Sequence, residues 1–162
     1  MRVGFSVVGD TQYSRAFSTM AGEANDLSEP LAEIGMSLIG SVHEQFRTEG
    51  AHGLGAKWKP LSPAYATWKR QQVGEQPIMV FTGKLRSAMI SPSAVTITPR
   101  RLVYEPDDPG YGIRHQLGTA DDRPPQRKLV ALPMTVRRDF DRTFVAWLND
   151  LRKGPAMWGG MR

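Results

Sequence analysis

Cysteine is absent from all 162 residues, which excludes disulfides, thiolate metal sites and cysteine nucleophiles. Stability must then come from packing or from association with other chains. No apolar run approaches the roughly 20 residues needed to cross a bilayer, and the N-terminus lacks a basic flank leading into an uninterrupted apolar stretch. A soluble chain made in the cytoplasm, with no membrane partner, is expected. Histidine is scarce and scattered, at His43, His52 and His115.

Chemistry-bearing motifs are equally thin. His43-Glu44 has the opening of a zinc-protease signature, but the second histidine required one turn later is replaced by Arg47. Gly50 to Gly55 has the spacing of half a phosphate-binding loop. Ala56-Lys57-Trp58 follows where a Lys-Ser/Thr pair is needed, and a helix rather than a strand leads in. Ser62, His115 and Asp121 supply the residue types of a hydrolytic triad without the Gly-x-Ser-x-Gly turn that presents the serine. No catalytic, cofactor-binding or metal-binding residues are assigned, and no cofactor is expected.

What the chain does have is an ordinary globular balance, 40% hydrophobic and 23% charged, which argues against wholesale disorder. Its length suits one domain, taken as residues 1–153, followed by a flexible C-terminal tail at 154–162. A formal charge of +5 favours polyanionic neighbours such as nucleic acid or an acidic protein surface. The excess is diffuse: Lys69-Arg70, Arg100-Arg101, Arg137-Arg138 and Arg152-Lys153 mostly have acids nearby and read as solvated, mixed-charge surface.

Val3, Phe5 and Val7 alternate with small residues as a half-buried strand does, and residues 15–24 are compatible with a short helix. The clearest element follows: Leu27, Leu31, Ile34, Leu38, Val42 and Phe46 make one apolar stripe on a long helix. Ser28 is its expected N-cap, Pro30 fits the first turn, and Gly50 suits a left-handed close. Residues 50–61 read as loop, with Trp58 its large anchor. Ser62-Pro63 opens another helix, with Tyr65, Trp68 and Lys69 along one side. Thr82 is expected to cap a short helix that buries Leu85, Ala88 and Met89 and stops at Ser91-Pro92.

Val95, Ile97, Leu102 and Tyr104 flank Pro99-Arg100 as in a hairpin. Residues 106–110 form a turn cluster, 111–117 suit either strand or short helix, 121–126 read as loop and 128–132 as strand. Last comes a helix with Val136, Phe140, Phe144, Trp147, Leu148 and Leu151 on one face, ended by Gly154-Pro155. These elements imply an α+β domain, with long amphipathic helices packed on one face of a largely antiparallel sheet, extended loops and a C-terminal arm. Trp158 has nothing local to pack on. Its burial against a neighbouring subunit would be worth about 1.5–3 kcal/mol.

The order of motifs from Phe46 onward resembles the phage virion morphogenesis family, also called tail-completion proteins. A long helix ends in Phe46 and Glu49-Gly50, and Trp58-Lys59-Pro60-Leu61-Ser62 starts the next. Thr82-Gly83-Lys84-Leu85-Arg86-Ser87 supplies a turn. The segment Tyr111-Gly112-Ile113-Arg114-His115-Gln116-Leu117-Gly118 follows, then Pro124-Pro125-Gln126-Arg127 before an apolar stretch. Two departures are local: Gln126 intervenes after the proline pair, with Lys128-Leu129 where an aromatic is usual, and Ala51-His52-Gly53 replaces a Pro-Asp-Gly loop.

The resemblance implies a structural virion protein at the head–tail junction or tail end, a ring of copies with six the expected number. Neighbouring phage connector and tail proteins would be its partners, with non-specific contact to genome DNA in the lumen. The expected contact residues are Trp58, Lys59, His115, Gln116, Arg123, Pro124, Pro125, Arg127 and Trp158, and loops 50–61 and 119–127 with the tail 154–162 are the expected contact surfaces. The alternative, resting on charge, is a basic DNA-binding phage or host protein with salt-dependent affinity.

Overall fold

A computed structural model describes Gly22 and residues 24–153. The strand expected at 3–7, nearly all of the helix expected at 15–24, and the tail at 154–162 with Trp158 lie outside the described residues.

Helix α1 (Ser28–Arg47) forms on its apolar stripe, and Ile34, Leu38, Val42 and Phe46 are buried. Its start differs from expectation. Leu27, not Ser28, occupies the cap position and offers no side-chain acceptor. The Asp26 carboxylate instead accepts from the Ser28 N–H at 2.9 Å, and the Leu27 N–H donates to the Pro99 carbonyl at 2.7 Å. At the far end Glu49 (φ 51) and Gly50 (φ 97) turn the chain left-handed, and the Gly50 N–H returns to the Gln45 carbonyl. A Cβ on Gly50 would sit 2.4 Å from Trp58 Cδ1, so ring and backbone both demand glycine there.

The stretch expected as plain loop holds one helical turn, α2 (Ala51–Leu54). Helix α3 (Pro63–Val73) opens as its residues indicate, with the Ser62 hydroxyl accepting from the Tyr65 N–H and Pro63 in the first turn. For α4 (Lys84–Met89) the cap is Gly83, left-handed at φ 81, rather than Thr82. A glycine turn here replaces the hydroxyl cap. Leu85 and Met89 are buried and Ala88 half-buried. A 3-10 turn at Pro92–Ala94 leads into strands β1 (Val95–Thr98) and β2 (Arg101–Tyr104), an antiparallel hairpin pairing Val95 with Tyr104 and Thr98 with Arg101.

Residues 111–117 resolve as helix α5 (Gly112–Leu117), and the last element is α6 (Met134–Lys153). The expected sheet needs correction. Among the described residues it is this two-stranded hairpin alone, and 128–132 pairs with no strand. Side chains take the place of a ladder there. Gln116 Oε1 accepts from the Leu129 and Val130 N–H groups at 2.7 and 3.0 Å, and its Nε2 donates to the Val130 carbonyl. The Lys128 carbonyl accepts from Gln45 Nε2 at 2.9 Å and Trp58 Nε1 at 3.1 Å. Buried backbone must find partners, and two carboxamides and an indole supply them.

The molecule is thus α+β but helix-dominated. Leu38, Val42, Phe46, Trp58, Val80, Leu85, Met89 and Leu129 form the core. Gly35 admits the hairpin against α1, since a Cβ there would meet Val95 and Leu102 at 3.0 and 3.3 Å. Helix α6 packs on α1 with Val136 buried and Phe140 against the core. Its later apolar face is less covered than its spacing suggests: Phe144, Trp147 and Leu151 are half-buried and Leu148 is 52% exposed. Among the described residues no helix is long and apolar enough to cross a membrane.

Gly50→Ala is expected to lower unfolding free energy by about 2 kcal/mol or more, from left-handed strain plus the Trp58 clash. A lower urea midpoint at unchanged slope is the readout; an unchanged midpoint would mean that the indole does not seat on this turn.

Candidate docking groove

Arg127 is only 4% exposed, and its partners are carbonyls rather than a carboxylate. Nε and Nη2 donate to the Lys59 carbonyl at 3.0 and 2.9 Å, and Nη2 also reaches the Pro60 carbonyl at 3.3 Å. Burial pulls its pKa below the ordinary value, against the opposing pull of Asp122 and Tyr65. The guanidinium stays charged regardless. Nearby, the Lys59 ammonium pairs with the Asp122 carboxylate. Loops 55–62 and 119–127, far apart in sequence, are therefore clamped into one surface.

The 111–118 signature supports that surface from below. Asp108 accepts from the N–H groups of Gly110, Gly112 and Ile113 at 3.1, 2.8 and 2.9 Å. Burial pushes this carboxyl up, but the amides together outweigh it and hold the pKa below the usual range. A Cβ on Gly112 would lie 2.8 Å from Asp108 Oδ1 and would push that carboxylate off its amides. The His115 carbonyl accepts from the Arg127 N–H at 2.7 Å. Gly118, at φ 77, brings the chain against Gln126, which donates through Nε2 to the Gln116 carbonyl. Gly112, the His115 carbonyl, Gln116 and Gly118 are thus occupied in bracing, while the Ile113 and Leu117 side chains stay exposed.

Between these loops and α3 lies an open groove of about 1100 Å³. Tyr65 and Trp68 come from α3 and Phe81 from the segment before α4. Trp68 and Phe81 are stacked, centroids 5.5 Å apart and 7° between planes, and Tyr65 tilts against Trp68 at 5.4 Å. These rings remain 44%, 46% and 37% exposed. Covering what is left of each would contribute about 1–3 kcal/mol. Beneath them Lys69 is buried, its Nζ donating to the Gln76 and Pro77 carbonyls at 3.0 and 2.5 Å. Burial lowers its pKa, with Glu49 opposing.

The structure gathers most of the residues expected to make contacts. Lys59, His115, Arg123, Pro124, Pro125 and Arg127 all line this groove. Lys59 and Arg123 are exposed, His115 and the prolines half-buried. Trp58 sits elsewhere: 4% exposed, edge-on to Phe46 at 5.7 Å, it belongs to the core. Gln116 and Arg127 spend their side chains on backbone groups of the same chain. The aromatic row and Lys84 were missed. Tyr65 and Trp68, three apart on one helix, were the available signal, but the period alone does not tell a core face from a bare one.

The residues of the other candidate chemistries are engaged within the chain, although Ser62 and His115 both line the groove. The Gly50, Gly53 and Gly55 amides, the would-be phosphate cradle, donate to the Gln45 carbonyl, Gln45 Oε1 and the Ala51 carbonyl. Asp121 accepts from the Arg123 N–H within its own loop, away from the Ser62 hydroxyl's role as helix cap. Among the described residues no group of three His, Asp or Glu side chains is placed to hold a metal ion.

The fold is helix-rich α+β, and its signature residues fasten two loops beside an uncovered aromatic groove. The chain belongs to the phage virion morphogenesis family, whose model matches residues 8–138. It is accordingly a phage structural or assembly protein associated with the virion. No curated protein and no solved structure matches it.

Burial, then the Arg127 charge, hold the His115 imidazole below its ordinary value of 6.5, with Asp108 opposing; its Nδ1 is buried without a hydrogen-bond partner among the described residues. A depressed folded value means that the neutral ring stabilises the fold. This contribution is complete above pH 6.5 and is lost as pH falls through the folded value. The Asp108 contribution disappears only at lower pH. Between about pH 7.5 and 5, the melting temperature of the wild type should therefore fall more than that of His115→Gln. Parallel curves would show that the ring titrates as if in water.

Proposed function

We propose that this protein is a structural component of the head–tail junction or tail end, assembling as a ring of copies, with six the expected number. Connector and tail proteins would lie above and below the ring, with genome DNA touching its lumen without sequence preference. Residues 1–153 act as the body and 154–162 as a tail that adds Trp158 to the contacts between subunits. One observation carries the reading: in a member of a virion morphogenesis family, two loops are braced around an open groove whose stacked aromatic rings are left bare. A stable monomer gains little from holding Tyr65, Trp68 and Phe81 exposed, whereas an interface gains from rigid aromatic anchors.

The DNA-binding alternative rests on net charge. Its basic pairs lie on the hairpin turn and on α6, and Arg100 donates to Asn25 Oδ1. Arg100-Arg101 and Arg137-Arg138 thus lie on elements other than those that build the groove, while Lys69 of the Lys69-Arg70 pair lines it with its ammonium held by backbone carbonyls.

Electron microscopy of purified particles should show the chain as a symmetric collar between capsid and tail or at the tail end; its absence from every particle would overturn the reading. Trp68→Ala and Phe81→Ala are expected to keep the fold, since both rings are partly exposed, while lowering incorporation into particles by about tenfold or more. Normal incorporation of both variants would remove the groove from the interface.

A further inference from the structure

Resting on the ring assignment, we propose that the groove of one copy receives the outer face of α1 from the next copy. The groove has an apolar aromatic floor and a cationic rim. Of its lining cations, Lys59 is paired with Asp122, and Lys69 and Arg127 are held by backbone carbonyls. Lys84 and Arg123 are left, both exposed and in no ion pair among the described residues. An occupant with an apolar ridge and negative flanks fits such a surface.

Helix α1 carries that pattern on its outer side. Glu29, Glu33 and Met36 are spaced four and three residues apart, so they share one face. All are exposed, Met36 by 62%, and neither glutamate is in an ion pair among the described residues. Ala32 lies beside them, and a Cβ on Gly40 would meet nothing within 4 Å, so Met36 stands proud of small neighbours. A methionine sulfur against aromatic rings is a favourable contact. Met36 is placed on the Trp68–Phe81 stack, and the two glutamates face Lys84 and Arg123.

The occupant must come from another copy. The inner face of α1, Leu38, Val42 and Phe46, covers the core, and Val80 and Leu85 belong both to that core and to the groove wall. Ridge and groove therefore lie on opposite sides of one core, and a helix cannot turn through the core to fill its own groove. A contact between two different patches is heterologous, and repetition of it either closes a ring or extends a filament.

Sedimentation of the full chain tests this with charge exchange. Lys84→Glu with Arg123→Glu, and separately Glu29→Lys with Glu33→Lys, should each weaken self-association by about tenfold or more, and the four together should return it to within about threefold of wild type. Circular dichroism checks that each variant folds. Should a reversal fail to fold, Lys84→Gln with Arg123→Gln carries the same test, with a weakening of about threefold. Variants that assemble like the wild type, or a combination no better than either pair, overturn the docking assignment while leaving the ring standing. Reversals that abolish binding of a fluorescent single-stranded oligonucleotide without touching assembly give the groove to nucleic acid instead, and likewise overturn it. A wild type that stays monomeric at every concentration and in particles removes the ring reading, and this contact with it.

Discussion

The Lys128 carbonyl is the point on which the rest of the structure hangs. Gln45 from α1 and Trp58 from the following loop both donate to it. Gln45, fully buried, also accepts from the Gly53 N–H through its other amide atom. The end of α1 and the loop after it thus share one hydrogen-bond junction with a carbonyl some 70 positions later in the chain. Gln45 and Trp58 are buried, and a buried donor left alone would cost about 1–3 kcal/mol, so displacing the Lys128 carbonyl would strand both. Trp58, held at this junction, lies edge-on to Phe46, and the next residue, Lys59, presents its carbonyl to Arg127.

From that junction the bracing runs outward to the groove. Arg127 uses carbonyls of the 58–60 segment, Gln116 serves the backbone of 129–130, and Asp108 gathers the amides at the start of α5. Together these bonds replace the regular ladder that a larger sheet would supply. Polar side chains aimed at backbone give directional, specific fixing of irregular segments. The aromatic row is held by its own stacking, Tyr65 on Trp68 and Trp68 on Phe81.

Much of this architecture was legible in the chain. The stripe from Leu31 to Phe46, the Ser62-Pro63 helix start, the hairpin around Pro99-Arg100 and the left-handed Gly50 follow from periodicity and local conformational preference. These are local effects, readable within a few residues. The order of motifs also pointed to the right family. Local signals misled where a distant partner intervened: 128–132 has strand composition, yet Gln116 and Gln45 occupy its backbone before any strand can. Ser28 and Thr82 have capping side chains, but Asp26 and the left-handed Gly83 take those places.

The amino-acid sequence by itself determined the longer helices, the turn glycine at Gly50 and the absence of thiol chemistry, because these depend on spacing, on φ preferences and on composition. Only the tertiary structure decided which conspicuous residues face inward and which outward. Trp58 and Trp68 sit ten residues apart in similar company, yet one closes a buried hydrogen bond and the other stands bare over a groove. Burial is a property of what packs on top, and the residues that cover Trp58 arrive from some 70 positions later in the chain.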